Sequence, residues 1–220
     1  MRSGVSLGTS LSPSTKPTGE NLAWYRPRVT RVADRSQLTA AEYLAWERAQ
    51  ETRHEFFHGE VFAMLGGSYR HNALGARISA SLQGALRGSR CFVLTSDQRV
   101  SLWNQERYVY PDGTVVGGAV ESQAGTDDVL LNPAILVEVL SKSTESYDRG
   151  LKWEGYQRIA SLTDYLLVSQ VKIQVEQFRR REGNHWDYYT YGPGERVVLT
   201  NGAELDIDAV FDGVFLLAGD

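Results

Sequence analysis

The hydrophobic positions of the chain follow a helical spacing in two places and an extended spacing elsewhere. Thr39-Ala40-Ala41-Glu42 has the pattern of a capping box, which satisfies free amides at a helix start, and predicts a helix ending near Gln50. A second helix is predicted over residues 68–86, because four apolar side chains recur every four residues and form one stripe. They are Leu74, Ile78, Leu82 and Leu86.

The remaining apolar runs are short and rich in β-branched and aromatic residues, which is typical of strands. The first should turn at His58-Gly59, and we expect the three runs between 91 and 116 to be successive strands of one sheet. A third helix is predicted from about 148 to 160. The order of elements predicts an α+β (α/β) fold with a mixed central sheet flanked by helices. The predicted strands cover 54–64, 91–94, 99–103, 108–116, 165–168, 173–178, 186–191 and 196–199.

One further apolar run, residues 135–141, carries a carboxylate at its centre. Its composition predicts a buried central strand, and Glu138 is the carboxylate. An isolated charge in such a strand is costly, so Glu138 should be neutralised, paired or bound to a metal. A structural ion pair with an arginine or lysine and a shared metal ion are both open at this point.

Asp112 is the first candidate partner for Glu138. It follows Pro111 in a run of strand-forming residues, and a proline there marks an end or a bulge where a side chain can be re-aimed. Pro-Asp-Gly is by itself an ordinary turn sequence. Two converging carboxylates and a main-chain carbonyl would, however, form a hard oxygen site that suits Mg²⁺ or Mn²⁺.

Lys152 is the second candidate partner. It is predicted to lie in the first turn of the third helix, with Tyr156 one turn further on the same face. A lysine in a first turn opposes the helix dipole, so it should meet a negative group such as Glu138, a phosphate or a hydroxide. The alternative is an exposed lysine near a helix start.

Composition and charge restrict the class of protein. The 220 residues are 42% hydrophobic and 23% charged, with a net charge of −4, so no global positive field would draw the protein to nucleic acid. Cys91 is the only cysteine, no apolar run is long enough for a membrane span, and the N-terminus has no apolar core of a signal peptide. We therefore expect a cytoplasmic protein with a flexible extension, 1–37, and one domain, 38–220.

Several spaced motifs, taken in order, resemble one family. They are Tyr-Pro-Asp at 110–112, Val-Glu-Val-Leu-Ser at 137–141, Ser-Thr-Glu at 143–145, Asp-Arg-Gly-x-Lys-(x)3-Tyr at 148–156 and Asp-Tyr-Leu-Leu-Val at 164–168. His-Glu-(x)3-Gly-Glu at 54–60 and Ser-(x)2-His at 68–71 precede them. This pattern is similar to the Uma-two family of restriction endonuclease relatives in the PD-(D/E)XK nuclease superfamily, and the similarity runs from about 38 to 217.

The resemblance implies a restriction-endonuclease-like core and Mg²⁺-dependent hydrolysis of DNA, with a homodimer as the plausible assembly. Asp112 and Glu138 match the two metal-binding acids, and Glu55 matches an N-terminal acid that extends the site. The superfamily lysine usually lies two residues after the second acid, where this chain has Leu140. Lys152 matches the lysine displaced into the following helix. We expect these four residues to be catalytic, with the metal on Asp112 and Glu138.

A second hypothesis is a catalytically inactive nucleic-acid-binding or dimerisation module that keeps the nuclease fold. Leu140 and the net negative charge favour it. Among the other polar residues, His71 is predicted to pack or to form hydrogen bonds rather than to act in catalysis. Arg149 and Arg158 are candidates for a local positive surface that would bind DNA.

Overall fold

The computed structural model describes residues 37–218, except for the side chain of Trp103, so the predicted extension lies almost wholly outside the described residues. The helices are α1 (Ala40–Glu47), α2 (Tyr69–Ala85), α3 (Glu145–Tyr147), α4 (Trp153–Tyr156) and α5 (Ile207–Phe211), with a π-helical turn at Asp148–Lys152 and 3-10 turns at Trp103–Gln105 and Val214–Leu216. The strands are β1 (His54–Phe57), β2 (Glu60–Ala63), β3 (Cys91–Thr95), β4 (Arg99–Leu102), β5 (Arg107–Val109), β6 (Gly113–Gly117), β7 (Val129–Leu130), β8 (Pro133–Leu140), β9 (Asp164–Ser169), β10 (Val175–Arg180), β11 (Trp186–Tyr191), β12 (Arg196–Val198) and β13 (Glu204–Asp206).

A six-stranded mixed sheet forms the centre of the fold, in the order β11-β10-β9-β8-β6-β3. Only β8 and β9 are parallel in it, and the other neighbours are antiparallel. The apolar stripe of α2 packs with α5 against one face, while α4 packs against the other. The predicted α+β fold with a mixed sheet flanked by helices is confirmed.

The prediction that residues 91–116 form successive strands of one sheet is wrong. Strands β3 and β6 belong to the six-stranded sheet, whereas β4 and β5 belong to a five-stranded sheet in the order β2-β1-β5-β4-β7. The physical reason lies at Tyr110-Pro111-Asp112, since Pro111 has no amide to donate to a ladder and separates β5 from β6. The chain therefore passes from one sheet to the other at the residues that precede Gly113.

The predicted helix starts are largely confirmed. Thr39 and Glu42 form both hydrogen bonds of the capping box, and the hairpin turns at His58-Gly59 with positive φ at both residues. Ser68 caps α2. The third helix was placed wrongly, because it begins at Glu145, so Lys152 lies beyond its first turn rather than within it. Lys152 lies at the end of the π-helical turn and therefore does not oppose a helix dipole as a first-turn lysine would.

Candidate active site

Glu138 lies in the middle of β8 with its side chain almost fully buried. Side chains alternate across a strand, so Val137 and Val139 face α2, and Glu138 faces α4 together with Leu136 and Leu140. The strand pairs with neighbours on both sides, which fixes the direction of the carboxylate.

The Glu138 carboxylate is held by two donors at one oxygen. Oε1 accepts from the Lys152 ammonium at 2.9 Å and from the Tyr156 hydroxyl at 2.6 Å. Burial raises the pKa of Glu138 well above its usual 4.5, Lys152 opposes that rise, and the nearby carboxylates of Asp148 and Asp112 add to it. Both contacts are at Oε1, so Oε2 makes no hydrogen bond within residues 37–218.

Lys152 lies at the meeting point of three carboxylates. Besides Glu138, its Nζ is 3.2 Å from Glu55 Oε1 and 3.4 Å from Asp148 Oδ1. Burial alone would lower the pKa of Lys152, but the three carboxylates outweigh it and raise that pKa well above 10.5. Lys152 is therefore a buried ammonium ion that carries its charge at any physiological pH.

Asp112 stands just before β6, beside the centre of β8. Because Gly113 pairs with Val137, the antiparallel register brings Asp112 alongside Glu138. Its Oδ2 accepts from the backbone amide of Val139 at 2.7 Å and lies 3.3 Å from Nε2 of His71. Both described contacts of this carboxylate are at Oδ2.

Glu55 joins the site from β1 of the smaller sheet. Its Oε2 accepts from the Tyr147 hydroxyl at 2.7 Å, and its Oε1 contacts Lys152. The guanidinium of Arg107 lies 4.8 Å from the Tyr147 ring and donates to the Leu151 carbonyl at 3.0 Å. The smaller sheet thus braces the helical segment that carries Lys152.

The four predicted site residues line one cleft of about 1300 Å³. The structure brings them together, although they come from two sheets and a helical turn. Asp148, Tyr147 and His71 line the same cleft. The four-residue spacing of Asp148 and Lys152 could have indicated Asp148 from the sequence, whereas nothing in the sequence shows that His71 would reach Asp112.

Comparison with known proteins supports this arrangement of elements. The Uma2 family model, described as "Putative restriction endonuclease", matches residues 40–211. The chain belongs to the Uma2 family. The family membership that the spaced motifs predict is confirmed.

Individual relatives of this Uma2 chain agree with the family match. It is 32% identical to the uncharacterized protein slr1290 of Synechocystis sp. (strain ATCC 27184 / PCC 6803 / Kazusa), over 81% of this chain and 93% of that protein. It is 32% identical to sll1609 of the same organism, over 70% of this chain and 88% of that protein. A crystal structure of a putative nuclease belonging to DUF820 from Anabaena variabilis ATCC 29413 shares the fold, with a TM-score of 0.65 and 14% identity over 80% of this chain and 99% of that one.

The two arginines of the Uma2 chain that the sequence offers as DNA contacts both have carboxylate partners. Arg149 donates to both oxygens of Glu176 at 2.6 and 2.7 Å, and also to Glu145. Arg158 contacts Glu154 at 3.1 Å. Neither arginine is among the described residues that line the cleft.

No helix within residues 37–218 is long and apolar enough to cross a membrane.

The residues of the cleft fit a divalent cation of the Mg²⁺ type. The site cluster (Glu55, Asp112, Glu138, Asp148 and Lys152) has four carboxylates and one ammonium, an excess of negative charge in a largely buried place. Within the described part of the chain, no three His, Cys, Asp or Glu side chains converge as a metal-binding group. Mg²⁺ suits such a site, because it commonly takes one or two carboxylates and completes its shell with water and phosphate.

Proposed function

We propose that this protein is a Mg²⁺- or Mn²⁺-dependent endonuclease that hydrolyses DNA phosphodiester bonds in the cytoplasm. One observation carries the proposal: a buried, charged lysine contacts Glu138 beside Asp112 in an open cleft with excess negative charge. That combination provides an oxygen site for a cation and a fixed positive charge for a phosphate. The Uma2 family and the nuclease-like fold support the same chemistry.

Asp112 and Glu138 would hold the ion, using oxygens that make no hydrogen bond to the described residues. When bound, a divalent ion polarises the phosphate and makes water more acidic. The Val139 amide, Tyr156 and Lys152 fix the two carboxylates, so that little reorganisation is needed at the reaction.

Lys152 is proposed to stabilise the negative charge that develops on the phosphoryl group as water attacks phosphorus and the P–O bond to the leaving oxygen breaks. Its high pKa keeps the ammonium charged throughout, which suits electrostatic stabilisation and excludes a role as general base. Glu55 and Asp148 hold the ammonium in place, at 3.2 and 3.4 Å. In this proposal Glu55 acts through Lys152 rather than as a metal ligand.

The experiment is a DNA cleavage assay with Mg²⁺, with Mn²⁺ and with chelator. Asp112→Ala and Glu138→Ala should each lower the rate by at least about 10²–10³-fold, because each removes part of the charge arrangement at the reacting phosphate. Glu51→Ala is the matched control, since Glu51 is an exposed acid that lines the same cleft. Cleavage that persists in both site variants, or that proceeds unchanged in chelator, contradicts the proposal.

One feature favours the alternative, a nucleic-acid-binding or dimerisation module without catalysis. Leu140 occupies the usual position of the superfamily lysine, and it is buried among apolar residues. Calorimetric titration with Mn²⁺ separates the two functions, because the inactive module should show no binding that depends on Asp112 and Glu138.

We further propose that two copies act together on duplex DNA, which light scattering with and without DNA would test.

A further inference from the structure

His71 lies next to Asp112, although it comes from a separate element. It is in the first turn of α2, where Ser68 caps the helix by accepting from the His71 amide. Its Nε2 is 3.3 Å from Asp112 Oδ2, and its side chain is 20% exposed. An imidazole N–H at that distance stabilises negative charge on the oxygen it faces.

The start of α2 is fixed to the end of β8 through Gln170. The Ser68 hydroxyl donates to Gln170 Oε1 at 2.8 Å, and Gln170 Nε2 donates to the Leu140 carbonyl at 2.8 Å. Gln170 is 3% exposed, so this connection is shielded from water. The helix turn that carries His71 is thereby held against the strand that carries Glu138.

Gly67 provides the space in which the imidazole ring lies. A Cβ at this position would lie 2.7 Å from Nδ1 and 2.8 Å from Cγ of His71, closer than atoms in contact allow. The ring belongs to the same short segment, so a side chain at 67 would force it to move. The glycine therefore permits the particular ring position that reaches Asp112.

We propose that His71 is a positioning residue for the metal site, an inference that rests on the proposed function. His71 and the Val139 amide both contact Oδ2 of Asp112, which fixes the carboxylate and leaves Oδ1 for the ion. Residues that orient a metal-binding side chain in this way typically contribute about 10- to 100-fold to metal affinity.

The experiment is calorimetric titration of the full-length protein with Mn²⁺ at one pH, with no DNA present. His71→Ala should weaken Mn²⁺ binding by about 10-fold or more, whereas His71→Gln should keep most of the affinity, because its amide nitrogen can reach the place of Nε2. His185→Ala is the matched control, as His185 is exposed at the β10–β11 hairpin, away from the cleft. Thermal unfolding of each variant checks that the protein is folded.

Gly67→Ala tests the same inference through the ring position. Gly67→Ala should weaken Mn²⁺ binding as His71→Ala does. The double variant Gly67→Ala/His71→Ala should lose no more Mn²⁺ affinity than either single variant, since both changes remove the same contact between His71 and Asp112. Additive losses, or normal affinity in His71→Ala while Asp112→Ala fails to bind, would overturn the inference and leave the proposed function intact. If the wild-type protein binds no Mn²⁺, both the inference and the proposed function are wrong.

Discussion

Two buried polar clusters lie on either side of the Tyr110-Pro111-Asp112 segment, and they differ in charge balance. The Glu47 cluster consists of Glu47, His54, Arg99, Tyr110 and Asp128. Glu47 Oε1 accepts from the His54 amide at 2.8 Å and from the Tyr110 hydroxyl at 2.9 Å, while Oε2 lies 3.0 Å from His54 Nδ1. Arg99 donates to the Tyr110 hydroxyl and to Asp128. Each carboxylate thus has donors to match.

The site cluster has a similar degree of burial but a different composition. Three of its carboxylates contact one ammonium, and Asp112 adds a fourth negative group. Burial is the largest cause that raises the pKa of Asp148, to about 6, and the other carboxylates add to it. Buried carboxylates alone do not distinguish the two clusters. The excess of negative charge, open to a cleft, distinguishes the site cluster and supports its proposed role.

The largest effect is expected from removing the only ammonium of the site cluster. Lys152→Met leaves buried carboxylates without their cation and should lower the free energy of unfolding by about 3–5 kcal/mol. Urea denaturation without metal measures it. Lys142→Met is the matched control, because Lys142 lines the same cleft but is exposed. Equal, small losses of the free energy of unfolding in the two variants would mean that the buried carboxylates do not need the Lys152 charge for stability.

Much of this contrast could be predicted from the sequence. The sequence predicts that Glu138 is a buried acid that needs a partner, and it offers Asp112 and Lys152 as candidates. The partner proved to be Lys152 by direct contact, at 2.9 Å. Both open explanations, an ion pair and a shared metal site, are therefore compatible with one geometry. Apolar periodicity predicts α2 correctly, and the continuous apolar composition of residues 135–141 predicts the buried strand correctly, since both signals are local.

The remaining features depend on contacts between distant parts of the chain. His71 and Asp112 are brought together by the docking of α2 on the sheet, which Ser68 and Gln170 fix over a separation of about a hundred residues along the chain. The placement of β4 and β5 in the five-stranded sheet also depends on pairing between strands that are distant along the chain. No spacing rule predicts such contacts, because periodicity describes one element at a time.

The next effect in size is stabilisation by a divalent cation. At a concentration of 100 times its dissociation constant, Mg²⁺ or Mn²⁺ should raise the free energy of unfolding by about 2.7 kcal/mol, because it binds only the folded state. The double variant Asp112→Asn/Glu138→Gln should lose this gain, as measured by urea denaturation with and without metal. Glu47→Gln, in the Glu47 cluster, should keep the stabilisation by metal. An equal gain in all three proteins would indicate nonspecific binding.

A smaller effect on stability is expected from a change in the Glu47 cluster. Glu47→Gln removes the charge that accepts from Tyr110 and lies against His54, so the free energy of unfolding should fall by about 2 kcal/mol. Thermal or urea unfolding measures the loss, and calorimetry should find the Mn²⁺ affinity unchanged. A large drop in Mn²⁺ affinity would show that the two clusters are energetically coupled and would weaken the contrast between them.

The smallest effect concerns the pH dependence of Asp128, whose pKa is lowered from 3.8 chiefly by the hydrogen bonds from Arg48, and also by Arg99. A lowered pKa means that the unfolded chain binds the proton more readily. The stabilisation is therefore complete above about pH 4 and is lost as the pH falls through the lowered value. Because Asp128 is partly exposed, Asp128→Asn should cost less than about 1 kcal/mol at pH 7.

Asp148 in the site cluster should show the opposite sign. Its pKa is raised to about 6, so between 3.8 and that value the folded state holds the proton more tightly. Its contribution to stability should decline as the pH rises through this window. Urea midpoints from pH 3 to pH 7, in chelator, would compare wild type with Asp128→Asn and Asp148→Asn. As the pH rises, the stability of the wild type should increase relative to that of Asp128→Asn and decrease relative to that of Asp148→Asn. A stability difference that changes with pH in the same direction for both variants would remove the electrostatic distinction between the clusters.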